Sequence, residues 1–164
     1  MFRGFLRGVM VTLLVLVIVA ASTILGGYFP VAATTERGGL LDMVLAKTRH
    51  ERVERMAADI EVPDLDDDAM VRAGAADYAA MCAGCHGRPD QPQNAMARGM
   101  NPQPPDLAET FEEHGAAYAY WVTRDGIRMT GMPAWGVSHE DDELWPVVAF
   151  VVTSAFCGLA GVFY

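Results

Sequence analysis

The chain has 164 residues, 52% of them hydrophobic, and a formal net charge of −9. That length suffices for one folded domain plus a segment outside it, and the acidic balance excludes nucleic acid as a partner, because phosphate backbones recruit Lys and Arg. The charge is also uneven: from Met56 onward 5 Arg and no Lys face 17 Asp and Glu, a net of −12, whereas the first 55 residues carry +3. An acidic body of this kind favours a basic docking patch on a partner, with steering that weakens in salt; adaptation to a salty medium would enrich surface acids in the same way.

Residues 1–30 read as a membrane anchor. Arg3 and Arg7 precede an uncharged run from Val9 to Leu25. Extended to Phe5 and Phe29, the stretch is about 25 residues, enough to span a bilayer. The positive-inside rule leaves Arg3 and Arg7 in the cytoplasm and the rest of the chain on the outer, periplasmic face. A cleaved export signal shares this layout, with Ala20-Ala21-Ser22 as its small-residue site. The apolar run continues past that site through Ile24 and Leu25, which favours a retained anchor, and both readings export the remainder of the chain.

Residues 31–67 read as a juxtamembrane linker with a short helix over 40–60. Gly38-Gly39 loosen its start, and Leu41, Val44, Leu45, Met56 and Ile60 form an imperfect apolar stripe. Lys47, Arg49, Arg52 and Arg55 alternate with Glu51 and Glu54. The plain reading is a solvated face; the sharper one is contact with lipid head groups or a partner subunit.

A folded domain is expected over 68–157. Asp66, Asp67 and Asp68 sit where a helix N-terminus favours negative charge, and the alanines after them have high helix propensity. Next comes Cys82-Ala83-Gly84-Cys85-His86. This C-x-x-C-H pattern is the attachment site of a c-type haem: two thiols at a spacing that matches the porphyrin edge, then a histidine aimed at the iron. A thioredoxin-like pair would not need the trailing histidine. A zinc site would need a second ligand pair, and the third cysteine, Cys157, lies 72 residues beyond Cys85. Residues 87–106 are rich in Pro, Gly, Asn and Gln and read as loop. Glu109 to Arg128 is predicted mostly helical with a break near Gly115, with Tyr118, Trp121 and Val122 lining a pocket or the core, and Arg124 and Arg128 facing propionates or water.

The segment Gly126-Ile127-Arg128-Met129-Thr130-Gly131-Met132-Pro133-Ala134-Trp135-Gly136 offers a second ligand. Pro133 restricts Met132 to extended backbone, and Gly131 allows a close approach. Met129 is the nearest rival, and Met96 and Met100 lie in a flexible-looking stretch. Ser138 can cap a last helix over 141–155, with Asp141 placed to reach back and Pro146 near its first turns. The remainder, 158–164, reads as an apolar tail against the domain, the membrane or a partner, and Cys157 as an inert buried thiol. His50, His114 and His139 have no spacing that demands a metal and read as surface residues.

With C-A-G-C-H upstream and the Met-Pro segment 46 residues beyond His86, the chain resembles the class I cytochrome c family (one haem, His/Met ligation). The likeness covers roughly residues 68–156 and is nearest to membrane-anchored bacterial cytochromes and the cytochrome subunits of respiratory complexes. The resemblance implies an all-α cytochrome c fold around one haem c, covalent through Cys82 and Cys85, preceded here by the transmembrane helix. It implies His86 and Met132 as the iron ligands, and packing of Gly74 and Tyr78 on the first helix against the last. Pro105, in Pro104-Pro105-Asp106-Leu107, corresponds to the proline whose carbonyl orients the ligand imidazole. Trp135 is placed to cover the haem edge or to hydrogen-bond a propionate.

The function so implied is single-electron transfer, without catalysis, by a cytochrome tethered to or built into a membrane respiratory complex. Its partners would be membrane lipid and redox proteins. The alternative is a haem enzyme or ligand sensor whose methionine dissociates.

Overall fold

A computed structural model describes residues 2–35, 38–88 and 91–157; the expected tail over 158–164 lies outside the described residues. Two compact units emerge, Met1–Thr35 and Glu36–Tyr164. The first is built on α1, Phe2–Leu25, a helix long and apolar enough by length and composition to cross a membrane. None of its side chains is buried within the protein, as lipid-facing residues require.

Every regular element among the described residues of the second unit is a helix or helical turn, joined by loops. The unit contains α2 (Leu40–Ala57), α3 (Asp68–Met81), the single turns α4 (Ala83–His86) and α5 (Ala95–Arg98), α6 (Leu107–Asp125), a 3₁₀ turn at Trp135–Val137 and α7 (Asp141–Cys157). The core lies where α3 and α6 meet α7. Leu144, Val147, Val148 and Phe150 on α7 are buried there against Tyr78, Phe111, Ala119 and Tyr120.

The α3–α7 crossing depends on Gly74. A Cβ at this position would overlap the backbone carbonyl of Pro146 and stand 2.9 Å from the Val147 nitrogen. One turn on, the Tyr78 ring packs on Phe150 with centroids 5.3 Å apart. The packing expected of Gly74 and Tyr78 is therefore present. On the other side of α7, Trp145 stacks on Tyr120 at 4.0 Å, nearly parallel.

The helix ends follow local chemistry. Asp67 caps α3 by accepting a hydrogen bond from the Ala69 N–H at 2.8 Å, which satisfies one of the orphan donors of the first turn. The break expected near Gly115 is a kink inside α6, where the glycine takes φ 76°, a conformation that side-chain-bearing residues avoid. The capping of α7 differs from expectation. Glu143 reaches back to the Glu140 N–H at 2.9 Å, whereas the Ser138 hydroxyl is used by the Trp135 carbonyl and His139. The helix begins at Asp141 as expected, but the 3₁₀ turn over Trp135–Val137 takes up the Ser138 hydroxyl, so the cap passes to Glu143.

The α2 helix is not a fully solvated rod. Val53 and Ala57 are buried, and the helix packs against α6. Its first turns remain exposed, with Leu40, Leu41, Met43, Val44 and Leu45 uncovered within the protein.

Candidate haem site

The C-x-x-C-H segment forms one helical turn directly after α3. Cys82 is the joint: its carbonyl accepts from the Cys85 N–H at 3.0 Å and the His86 N–H at 2.9 Å. Spacings of three and four along a helix bring side chains to one face, so Cys82, Cys85 and His86 share a side of this turn. Tyr78 braces it from outside, donating its hydroxyl hydrogen to the Gly87 carbonyl at 2.7 Å in a buried contact. Burial holds this phenol up at about 12, with the neighbouring Cys82 adding to the shift. Cys82 is itself buried, and burial, reinforced by Cys85, pushes its thiol up to about 12. The two sulfurs form no disulfide with each other.

The His86 imidazole is held by a carbonyl. Its Nδ1 lies 3.1 Å from the Pro105 oxygen. A carbonyl only accepts, so Nδ1 carries the hydrogen and Nε2 keeps its lone pair. Burial lowers the pKa of His86, against opposing contributions from the Pro105 hydrogen bond and Asp106, and so favours the neutral ring. The Pro105 loop is stitched in place: Gln93 Nε2 donates to the Pro104 carbonyl at 2.9 Å, and Gln103 donates to Gln93 Oε1 at 3.0 Å. Asn94 caps α5 through the Ala97 N–H. The loop expected over 87–106 thus contains one helical turn and a network of amide side chains.

Met132 sits in a closed loop. Gly126 ends α6 with φ 65°, and a Cβ there would lie 2.7 Å from the backbone of Pro133 and Ala134. The two ends of the loop join where the Ile127 N–H donates to the Met132 carbonyl at 3.2 Å. Thr130 binds inside it, donating its hydroxyl to the Ile127 carbonyl and accepting from the Met132 N–H. Met129, the rival thioether, is 79% exposed, whereas Met132 is half-buried. Met100 packs on this loop, its sulfur 2.7 Å from where a Cβ at Gly131 would stand.

Trp135 opens the 3₁₀ turn, packs against the core and meets His139 edge-on at 5.6 Å. Arg124 is paired with Asp125 at 2.9 Å and lies over the Tyr120 ring, and Arg128 is exposed. The indole of Trp121 on α6 is different: its Nε1 is buried with no hydrogen-bond partner among the described residues. A buried indole N–H ordinarily finds an acceptor. Apolar spacing placed Trp121 in the pocket or core, and its N–H was the overlooked feature.

No curated protein and no solved structure matches this chain. One family pattern does, that of cytochrome C oxidase, cbb3-type, subunit III, over residues 69–151, which is just over half of the sequence. The matched span holds the C-x-x-C-H turn, the Pro105 loop and the Met132 loop, within an all-α fold preceded by an apolar N-terminal helix. The chain belongs to this cytochrome c family, whose domain implies haem c and whose chemistry is electron transfer.

Proposed function

We propose that this protein is a single-pass, membrane-anchored cytochrome that passes electrons within or beside a membrane respiratory complex. The observation that carries the reading is the oriented His86: a neutral imidazole, fixed by the Pro105 carbonyl, one residue beyond two thiols on the same helical turn. These residues fit one haem c. Cys82 and Cys85 would supply the two thioether links, His86 Nε2 would hold the iron, and the Met132 thioether would be the second iron ligand from its closed loop. The orphaned Trp121 N–H suits a propionate oxygen.

Haem, when bound, supplies an iron that alternates between ferric and ferrous states, with a potential raised by His/Met ligation. The chain does the remaining work. Pro105 keeps the imidazole plane from turning. The hydrogen bonds through Thr130 and Ile127 hold the Met132 loop in one shape. The aliphatic and aromatic core beside the turn excludes water. With His86 and Met132 both holding the iron, the haem would favour electron transfer over catalysis. The electron-transfer domain spans 68–157 with α2 packed on it, and 1–30 anchors it. Arg3 and Arg7 support a cytoplasmic start to the chain and a domain on the periplasmic face. The net charge of −12 beyond Met56 suits a redox partner with a basic docking surface.

The test is the absorption spectrum of the purified protein, oxidised and reduced, beside Met132→Leu. Haem that survives denaturing gels and a weak near-infrared sulfur-to-iron band lost in the variant are expected. A band that persists in Met132→Leu refutes this ligand. Rapid carbon monoxide binding by the reduced wild type moves the enzyme or sensor reading to the front.

A further inference from the structure

His50, Glu54 and His114 form a cluster that the proposed haem chemistry leaves unused. His50 and Glu54 stand four apart on α2, so they project from one face, and His114 meets them from α6 beside the kink at Gly115. One ligand atom from each residue lies within 4.8 Å of the others. The expectation that His50 and His114 are plain surface residues does not hold. His114 has only 11% of its side chain exposed, and its Nδ1 lies 3.0 Å from Glu54 Oε1. The ring is stacked on Tyr118 at 4.4 Å and flanked by His50 at 4.9 Å. Its other nitrogen, Nε2, is 3.6 Å from the Glu113 carboxylate.

We propose that His50, Glu54 and His114 bind a divalent transition cation of the zinc class, clamping α2 to α6. Two imidazoles and one carboxylate suit zinc-like ions and disfavour calcium and magnesium, which take oxygen donors. Zinc bonds of about 2.0–2.2 Å at tetrahedral angles separate ligand atoms by roughly 3.4 Å, close to the observed gap between His114 and Glu54. A rotation of the half-buried His50 side chain closes the third edge, and water completes four-coordination. The Glu113 carboxylate on the far side of His114 is where an outer partner belongs, since a ligating imidazole turns its second nitrogen to such a group and gains basicity from it. The competing arrangement is a His114 ring hydrogen-bonded between two carboxylates, which assigns nothing to His50.

The experiment is calorimetric titration of Zn²⁺ into the full-length, haem-loaded protein after chelator treatment at neutral pH. One equivalent should bind and raise the melting temperature. His50→Ala and Glu54→Gln should each weaken binding by at least about tenfold, and Glu113→Gln by about tenfold through its outer position. His139→Ala and Cys157→Ser serve as controls and should bind as the wild type does. Circular dichroism of each variant checks folding, and Glu54→Gln preserves shape at a part-exposed position. Absence of Zn²⁺ binding by the wild type, or binding unchanged in both His50→Ala and Glu54→Gln, overturns the site.

Discussion

Gly74→Ala sets two effects of opposite sign against each other at the α3–α7 crossing. Alanine improves helix propensity over glycine by about 1 kcal/mol, so on propensity alone the substitution stabilises. The added methyl, however, overlaps the Pro146 carbonyl. The obstruction is helix backbone, with Val147 buried beside it, so no flexible group can swing aside. Forcing a methyl into such a contact costs about 3 kcal/mol, the upper end of ordinary overpacking. The net is a loss of about 2 kcal/mol, which for a unit of this size lowers the melting temperature by on the order of 8 °C. Thermal melts followed by circular dichroism and haem absorbance report it. Ala76→Gly, on the exposed side of the same helix, isolates propensity and should cost about 1 kcal/mol. If Gly74→Ala melts at or above the wild-type temperature, helix propensity has won and the close crossing is not the controlling contact.

Tyr78→Phe removes the buried hydroxyl that serves the Gly87 carbonyl; leaving that acceptor alone should cost about 1–3 kcal/mol in a denaturant titration. The same residue gives an alkaline prediction. Its pKa rises from 10.0 to about 12 on folding, so the native state retains a proton that the unfolded state loses. Stability from this group is complete below pH 10 and declines from there to pH 12. Tyr78→Phe should flatten the decline over that window, and an equally steep decline in the variant would assign it elsewhere. Trp121→Phe should leave the fold intact while lowering the reduction potential in a redox titration, because removing a donor from a propionate exposes the iron to more negative charge. An unchanged potential would place the indole away from the haem carboxylates.

What could be read in advance was local chemistry. The aspartates before α3 marked its N-terminus by charge, a glycine marked the α6 kink, and the C-x-x-C-H spacing needed only a helical turn to gather its side chains. The Gly74 and Tyr78 packing came from resemblance, and the close approach of Pro146 then supplied its physical cause. The readings that failed needed contacts that composition and spacing do not display. His114 joins His50 and Glu54 only because α2 folds onto α6, and neither segment alone carries that register. Ser138 has the composition of a helix cap, but a preceding 3₁₀ turn takes up its hydroxyl. The Trp121 side chain reads as core by periodicity, and only the packed structure reveals an N–H without an acceptor.

The brace between Tyr78 and Gly87 also bears on the order of events during biogenesis. It spans the whole attachment turn, and Cys82 is almost inaccessible once the brace and the α7 core are in place. On the proposed covalent attachment, the sulfur must meet its vinyl group before these contacts close. Exported chain therefore has a limited interval in which to be modified, and a sequence that folded too quickly without haem would lock its own thiol away.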